Sequence, residues 1–164
     1  MEPWNHFDDD GRPRMVDVGG KAETWREAEA EGWIDLPGTI LEALQGEGVP
    51  KGDPFRIAEI AGIQGAKRTP DLIPLCHPIR LVGVDLRCDL VPERSAVRVR
   101  CVARAREITG VEMEALTGVS MACLAFYDMC KGLDKGMKIR SIRLLRKSGG
   151  KSGDWKTEEA MPCD

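Results

Sequence analysis

Apolar and polar positions change period along the 164 residues, and each change marks an element. From Leu81 the period is two: Val82, Val84, Leu86, Cys88 and Leu90 alternate with Gly83, Asp85, Arg87 and Asp89. After Pro92-Glu93-Arg94-Ser95 the alternation resumes, with Val97, Val99, Cys101, Ala103 and Ala105 set against Arg98, Arg100, Arg104 and Arg106. This pattern predicts a hairpin with one buried and one wetter face. Helical signals lie on either side. Asp53 as N-cap and Pro54 at the first helical position open one helix, which presents Ile57, Ile60 and Ala61 on one side and stops at Thr69-Pro70. Thr39 with Glu42 has capping-box spacing and predicts a short helix over 40–45, ended by Gly46 and Gly48. Thr109 with Glu112 repeats that spacing ahead of the longest helix, over 111–131, with Gly132 as its stop.

A final strand over 137–145 changes phase near Ser141, the mark of a bulge, and residues 15–18 fit a short strand. Residues 24–36 satisfy two patterns. Their Ala and Glu content favours helix, while the Trp25/Glu27 and Ala28/Ala30 spacings fit alternation, and composition gives helix a slight edge. With that segment as the first strand, the order is strand, helices, strand, strand, helix, strand. Such an order fits an α+β layer with helices packed on one face of an antiparallel sheet. No repeat or linker divides the chain, so a single domain over 15–155 is expected between a flexible arm, 1–14, and a flexible tail, 156–164.

Composition narrows the class. Hydrophobic residues at 42% and charged residues at 31% suit one domain with a core, and aromatics at only 5% make that core largely aliphatic. The net charge of −3 argues against a nucleic-acid polymer as partner. No apolar run approaches the roughly 20 residues that span a bilayer, and the acidic N-terminus is unlike a signal peptide. The six cysteines, at 76, 88, 101, 123, 130 and 163, form no C-x-x-C pair, and only His6 and His77 could assist them. Reduced thiols, no metal site and a cytoplasmic location are the expectation.

Several residues have chemistry to offer. Lys147-Ser-Gly-Gly-Lys-Ser-Gly-Asp154 imitates a P-loop, but Leu145 stands where its first Gly belongs and too little chain follows for the helix. A Gly-rich backbone with Lys147 and Lys151 can still wrap an anionic group. It ends a stretch, 131–151, in which eight Lys and Arg face only Asp134; this suggests a phosphate-rich ligand, or an ordinary solvated strand face. His77, kept extended by Pro78, suits a pocket donor, an acid/base group or a structural histidine. Glu112 has a capping duty that Glu114 lacks. Asp128 and Lys131 share a helix face as an ion pair or as an acid/base pair. Lys51 precedes a helix start and by itself reads as a solvated loop lysine. Cys123 and Cys130 share a helix face and read as core. Glu114 and Asp128 are about 21 Å apart at 1.5 Å per residue, so one pocket can use both only if two chains meet.

Taken together, several segments carry a resemblance. They are Met15-Val-Asp-Val18 with Lys21, Lys51-Gly-Asp53, Ala61-Gly-Ile-Gln64, Ala66-Lys-Arg-Thr69 and Asp71-Leu-Ile-Pro-Leu-Cys-His-Pro78. They continue with Thr109-Gly-Val-Glu-Met-Glu-Ala-Leu-Thr117, Tyr127-Asp-Met-Cys-Lys131, Arg143-Leu-Leu145 and the glycine-rich tail. Over residues 14–155 the chain resembles the cyclic pyranopterin monophosphate synthase family (molybdenum cofactor biosynthesis protein C). Gly65 and Pro70 are its small departures, where Ala and a bulkier residue are usual; Gly65 should loosen its helix end by up to about 1 kcal/mol.

The resemblance implies a ferredoxin-like subunit, with 24–36 as a strand, in a homohexamer of three dimers whose active sites lie between subunits. It implies conversion of 3′,8-cyclo-7,8-dihydroguanosine 5′-triphosphate, made by a radical S-adenosylmethionine enzyme, to cyclic pyranopterin monophosphate and pyrophosphate. Asp128 and Lys131 would be the acid/base pair, assisted by Lys51. Leu75, Cys76, His77, Met113 and Glu114 would hold the base with Glu112 close by, and Lys147 and Lys151 would neutralise the triphosphate. No redox cofactor or resident metal is implied. Whether Mg²⁺ accompanies the triphosphate is left open, as is transient contact with the upstream enzyme. Two non-catalytic readings compete. A nucleotide- or RNA-binding module would interleave aromatics with the basic residues of 131–151, where there are none. A protein that merely holds the radical enzyme's product would need no Asp128–Lys131 pair.

Overall fold

In the computed structural model the described residues are 7, 10–15, 19, 20, 22–151 and 153–158. The strand predicted at 15–18 and Lys21 therefore fall largely or wholly outside them, as does Cys163. Five strands form one antiparallel sheet in the order β2-β3-β1-β4-β5: β1 Thr24–Asp35, β2 Leu81–Val91, β3 Ala96–Glu107, β4 Lys138–Ser148 and the short β5 Trp155–Lys156. Between β1 and β2 run α1 Gly38–Gln45, α2 Pro54–Lys67 and the single turn α3 Thr69–Leu72; α4 Glu112–Cys130 joins β3 to β4. The first four strands and the α2 and α4 connections make the ferredoxin-like arrangement.

Segment 24–36, which composition leans towards helix, is a strand and lies inside the sheet between β3 and β4. Its even positions Ala28, Ala30 and Ile34 are fully buried under the helices. Its odd positions Glu27, Glu29, Glu31 and Asp35 meet arginines on the other face. The alternation outweighs the local helix preference because strands on both flanks satisfy its backbone. In β4 the phase change is real: Ser141 takes φ 56°, in the left-handed region, and the β1–β4 register slips beside it. A second slip lies between the partners of Glu29 and Ala30.

Two helix starts differ from expectation. Pro37 precedes the first turn of α1, which puts Thr39 inside the helix; its hydroxyl donates instead to Asp134 Oδ2 at 2.9 Å. Val111 stands at the N-cap of α4, later than a Thr109 cap requires, and no side chain caps that end. Asp53 does cap α2, its Oδ1 accepting from the amides of Phe55 and Arg56 at 2.9 and 3.2 Å. Past Thr69 the chain makes one further helical turn, α3, rather than leaving helix outright.

The side of α2 that carries Ile57 and Ile60 faces outward. Ile57 and Ile60 are exposed, while Pro54, Ala58, Gly62, Gly65 and Ala66 are buried. Small residues let α2 lie close on α4: a Cβ at Gly62 would meet the Gly118 carbonyl oxygen at 2.7 Å and the Ala122 Cβ at 3.0 Å. At Gly65 an added Cβ would stand 2.7 Å from the Cβ of Met121, so the helix-propensity cost of glycine there is offset by the packing it permits.

Candidate active site

At the C-terminal end of α4 three predicted residues come together. Lys131 Nζ lies 2.6 Å from Asp128 Oδ1, one helical turn away. Lys51 reaches in from the loop ahead of α2, donating to the Asp128 carbonyl oxygen at 2.9 Å and lying 3.4 Å from Oδ2. The carbonyl is one of those that a helix end leaves without an intrahelical partner, so Lys51 both caps α4 and flanks its carboxylate. Phe55 on α2 packs edge-on against Phe126 on α4, centroids 5.4 Å apart, and fastens the lysine loop to this helix end. The hydrogen bond from Lys131, then that from Lys51, holds the Asp128 carboxyl below its ordinary range. The same bond raises Lys131 above the usual lysine value. A carboxylate and an ammonium thus stand side by side, both open to a ligand.

The other end of α4 has the opposite character. Glu114 is 2% exposed, and neither carboxyl oxygen has a hydrogen-bond partner among the described residues. Burial pushes its pKa up to about 7; its own backbone amide opposes this, and the charge of Glu112 adds to it. Burial also raises the half-buried Cys76 thiol, with a contribution from Glu114. Leu75 and His77 are half-buried beside Cys76 in the chain after α3, while Met113 is exposed and Glu112 half-buried on α4. Glu114 has a consequence for stability. Its folded pKa lies above the ordinary 4.5, so between about pH 4.5 and 7 the folded state holds more protons. Stability must then fall as pH rises through that window and level off above it, by at most about 3 kcal/mol. Urea midpoints across the window should show this decline, and Glu114→Gln should flatten it; an equal decline in the variant would assign it elsewhere.

Lys147 and Lys151 lie where β4 leaves the sheet. Gly149, Gly150 and Gly153 take φ of 89°, 79° and 65°, which explains why glycine recurs there. This turn rests on Arg26, which pattern reading did not single out: Gly150 packs directly against its guanidinium. Arg26 is 9% exposed and donates to the carbonyls of Glu107 and Ile108 at 3.1 Å each. The signal was an arginine in the apolar phase of β1. The arginines of the basic stretch are neutralised within the sheet. Arg140 pairs with Asp35, Arg143 with Glu31, and Arg146 with both Glu27 and Glu29. The suggestion of a phosphate-rich ligand therefore rests on the lysines of the run, Lys147 and Lys151 among them, and no longer on its arginines.

The other described cysteines, Cys88, Cys101, Cys123 and Cys130, are core. Burial raises the thiols of Cys88, Cys101 and Cys123 to about 12 and that of Cys130 to about 11. Cys76, Cys88, Cys101, Cys123 and Cys130 are all free. No helix among the described residues is long and apolar enough to cross a membrane.

Comparison with known proteins bears on the same segments. The model of the MoaC family matches residues 15–150, which contain α4 from end to end. A cyclic pyranopterin monophosphate synthase of Pelotomaculum thermopropionicum is 51% identical over 162 residues, 98% of this chain and 95% of its own. Enzymes of that name from Streptomyces coelicolor and Roseiflexus sp. are 54% and 52% identical, covering 92% and 94% of this chain and 87% and 98% of theirs. Similarity this high over nearly the full length leaves one assignment: the chain belongs to the MoaC family.

Proposed function

We propose that the protein is a cyclic pyranopterin monophosphate synthase of molybdenum cofactor biosynthesis. It would convert 3′,8-cyclo-7,8-dihydroguanosine 5′-triphosphate to cyclic pyranopterin monophosphate and pyrophosphate. The observation that carries this reading is Asp128 ionised between two lysines on an open helix end. The conversion is a series of proton transfers followed by attack on phosphorus: hydrolytic opening of the imidazole-derived ring, rebuilding of the pterin, and closure of a cyclic phosphate. Asp128 is the proton acceptor and Lys131 the donor, with Lys51 holding the carboxylate in place. Glu114, buried and raised to about 7, exchanges a hydrogen bond with the base, with Cys76 near it and His77 next in the chain. Lys147 and Lys151 offset the triphosphate charge and the charge that grows as pyrophosphate leaves.

Both ends of α4 serve one substrate in this reading. A single copy holds them about 21 Å apart, so the site is built between two chains and the working unit is at least a dimer, within a hexamer of three dimers. Purified protein given the cyclic dihydroguanosine triphosphate, with no flavin, iron or S-adenosylmethionine added, is expected to release pyrophosphate in step with product. Intact substrate after prolonged incubation with folded protein would refute the assignment.

A further inference from the structure

The sheet face turned away from the helices is a lattice of ion pairs with a gap at Arg98. Arg104 holds Glu27 and Asp85, Arg146 bridges Glu27 and Glu29, Arg143 holds Glu31, and Arg140 holds Asp35; Arg100 lies 3.8 Å from Glu29. Arg98 stands opposite Trp33 in the β1–β3 register, where β1 offers no carboxylate. Asp89 faces it on β2 but makes no ion pair with it. Among the described residues Arg98 therefore has no anionic partner. Its guanidinium carbon stands 5.8 Å from the Trp33 ring centre, and that of Arg94 stands 5.3 Å from the same ring. Trp33 is 4% exposed although it faces away from the helices. Its indole nitrogen and Arg98 Nε are both buried donors with no acceptor. Such donors are costly to leave unmade.

Beside them lies a cavity of about 840 Å³. Six cationic side chains line it against four carboxylates, and two of those four, Glu29 and Glu31, are already committed to Arg146 and Arg143. Two guanidiniums on one ring bring two planar donor forks to the same cavity, a donor set that suits linked phosphate oxyanions.

We propose that this cavity is a second oxyanion site, taking a di- or triphosphate group, with Arg98 and Arg94 as its anchors. The sheet separates it from the residues of α4, and it does not depend on the catalytic reading. Lys147→Ala with Lys151→Ala removes the two cations assigned above to the triphosphate and supplies the background for the test. Titration of that full-length variant with inorganic pyrophosphate, followed by calorimetry and tryptophan emission, is expected to show saturable binding. Adding Arg98→Gln should weaken it at least tenfold, and Arg98→Lys, which keeps charge without the planar fork, should fall between. Arg94 is exposed at the hairpin turn, so Arg94→Ala weakens binding without disturbing the sheet and decides the matter if Arg98→Gln does not fold. Binding that vanishes with the two lysines, or that survives Arg98→Gln and Arg94→Ala unchanged, would overturn the proposal. Pyrophosphate release by the wild type is measured separately and is unaffected by either result.

Discussion

Replacing Asp128 with Asn is expected to slow pyrophosphate release by about 10²–10⁴, the usual share of a general acid/base group. Asn keeps the size and one hydrogen-bond acceptor but cannot take a proton at neutral pH. The variant also releases both lysines: Lys131 loses the partner that raises its pKa, and Lys51 keeps only the carbonyl of residue 128. Both effects fall on kcat more than on KM, because the residues proposed to bind the base lie at the other helix end. The side chain is more than half exposed, so the thermal midpoint should hardly move, which separates lost chemistry from lost folding. Full turnover by an Asp128→Asn, Lys131→Ala double variant would remove this pair from the mechanism.

Phe126→Ala should cost about 3–5 kcal/mol, the range for truncating a fully buried aromatic. That is a large part of the roughly 5–15 kcal/mol that holds a domain folded. The cost has a functional side. Phe126 lies on α4 two residues before Asp128, and its edge contact with Phe55 ties that helix end to the loop carrying Lys51. Chemical denaturation should show the loss, and activity per folded molecule should fall as Lys51 loses its anchorage. A loss below about 1 kcal/mol would mean that the core around Phe126 collapses to fill the space.

How far the sequence reveals this arrangement depends on the kind of signal. Asp53-Pro54, the β2–β3 alternation and the phase change at Ser141 are local instructions, and the chain follows them. Residues 24–36 are ambiguous because β1 spends its odd positions on carboxylates that only make sense beside arginines from β3 and β4. Their partners are 71 (Glu29 to Arg100) to 119 residues away, beyond any local window. On α2 the packed face is not the most hydrophobic one: Ile57 and Ile60 are exposed, whereas close helix contact selects glycine and alanine. Thr39 and Thr109 have capping spacing, but each helix begins one or more residues away from the register it requires. Asp128 and Lys131 are legible as a helical pair from spacing. Lys51 is not, since its approach depends on the packing of α2 against α4.

The claim that both ends of α4 work on one substrate is tested most directly by mixing two inactive proteins. Asp128→Asn retains a sound Glu114 end, and Glu114→Ala retains a sound Asp128 end. Unfolded together and refolded as mixed assemblies, they should regain pyrophosphate release that neither shows alone, because some interfaces then pair two intact halves. Mixed assemblies that form, as shown by a tag on one variant retaining the other, yet stay as inactive as their parents would contradict a site shared between chains.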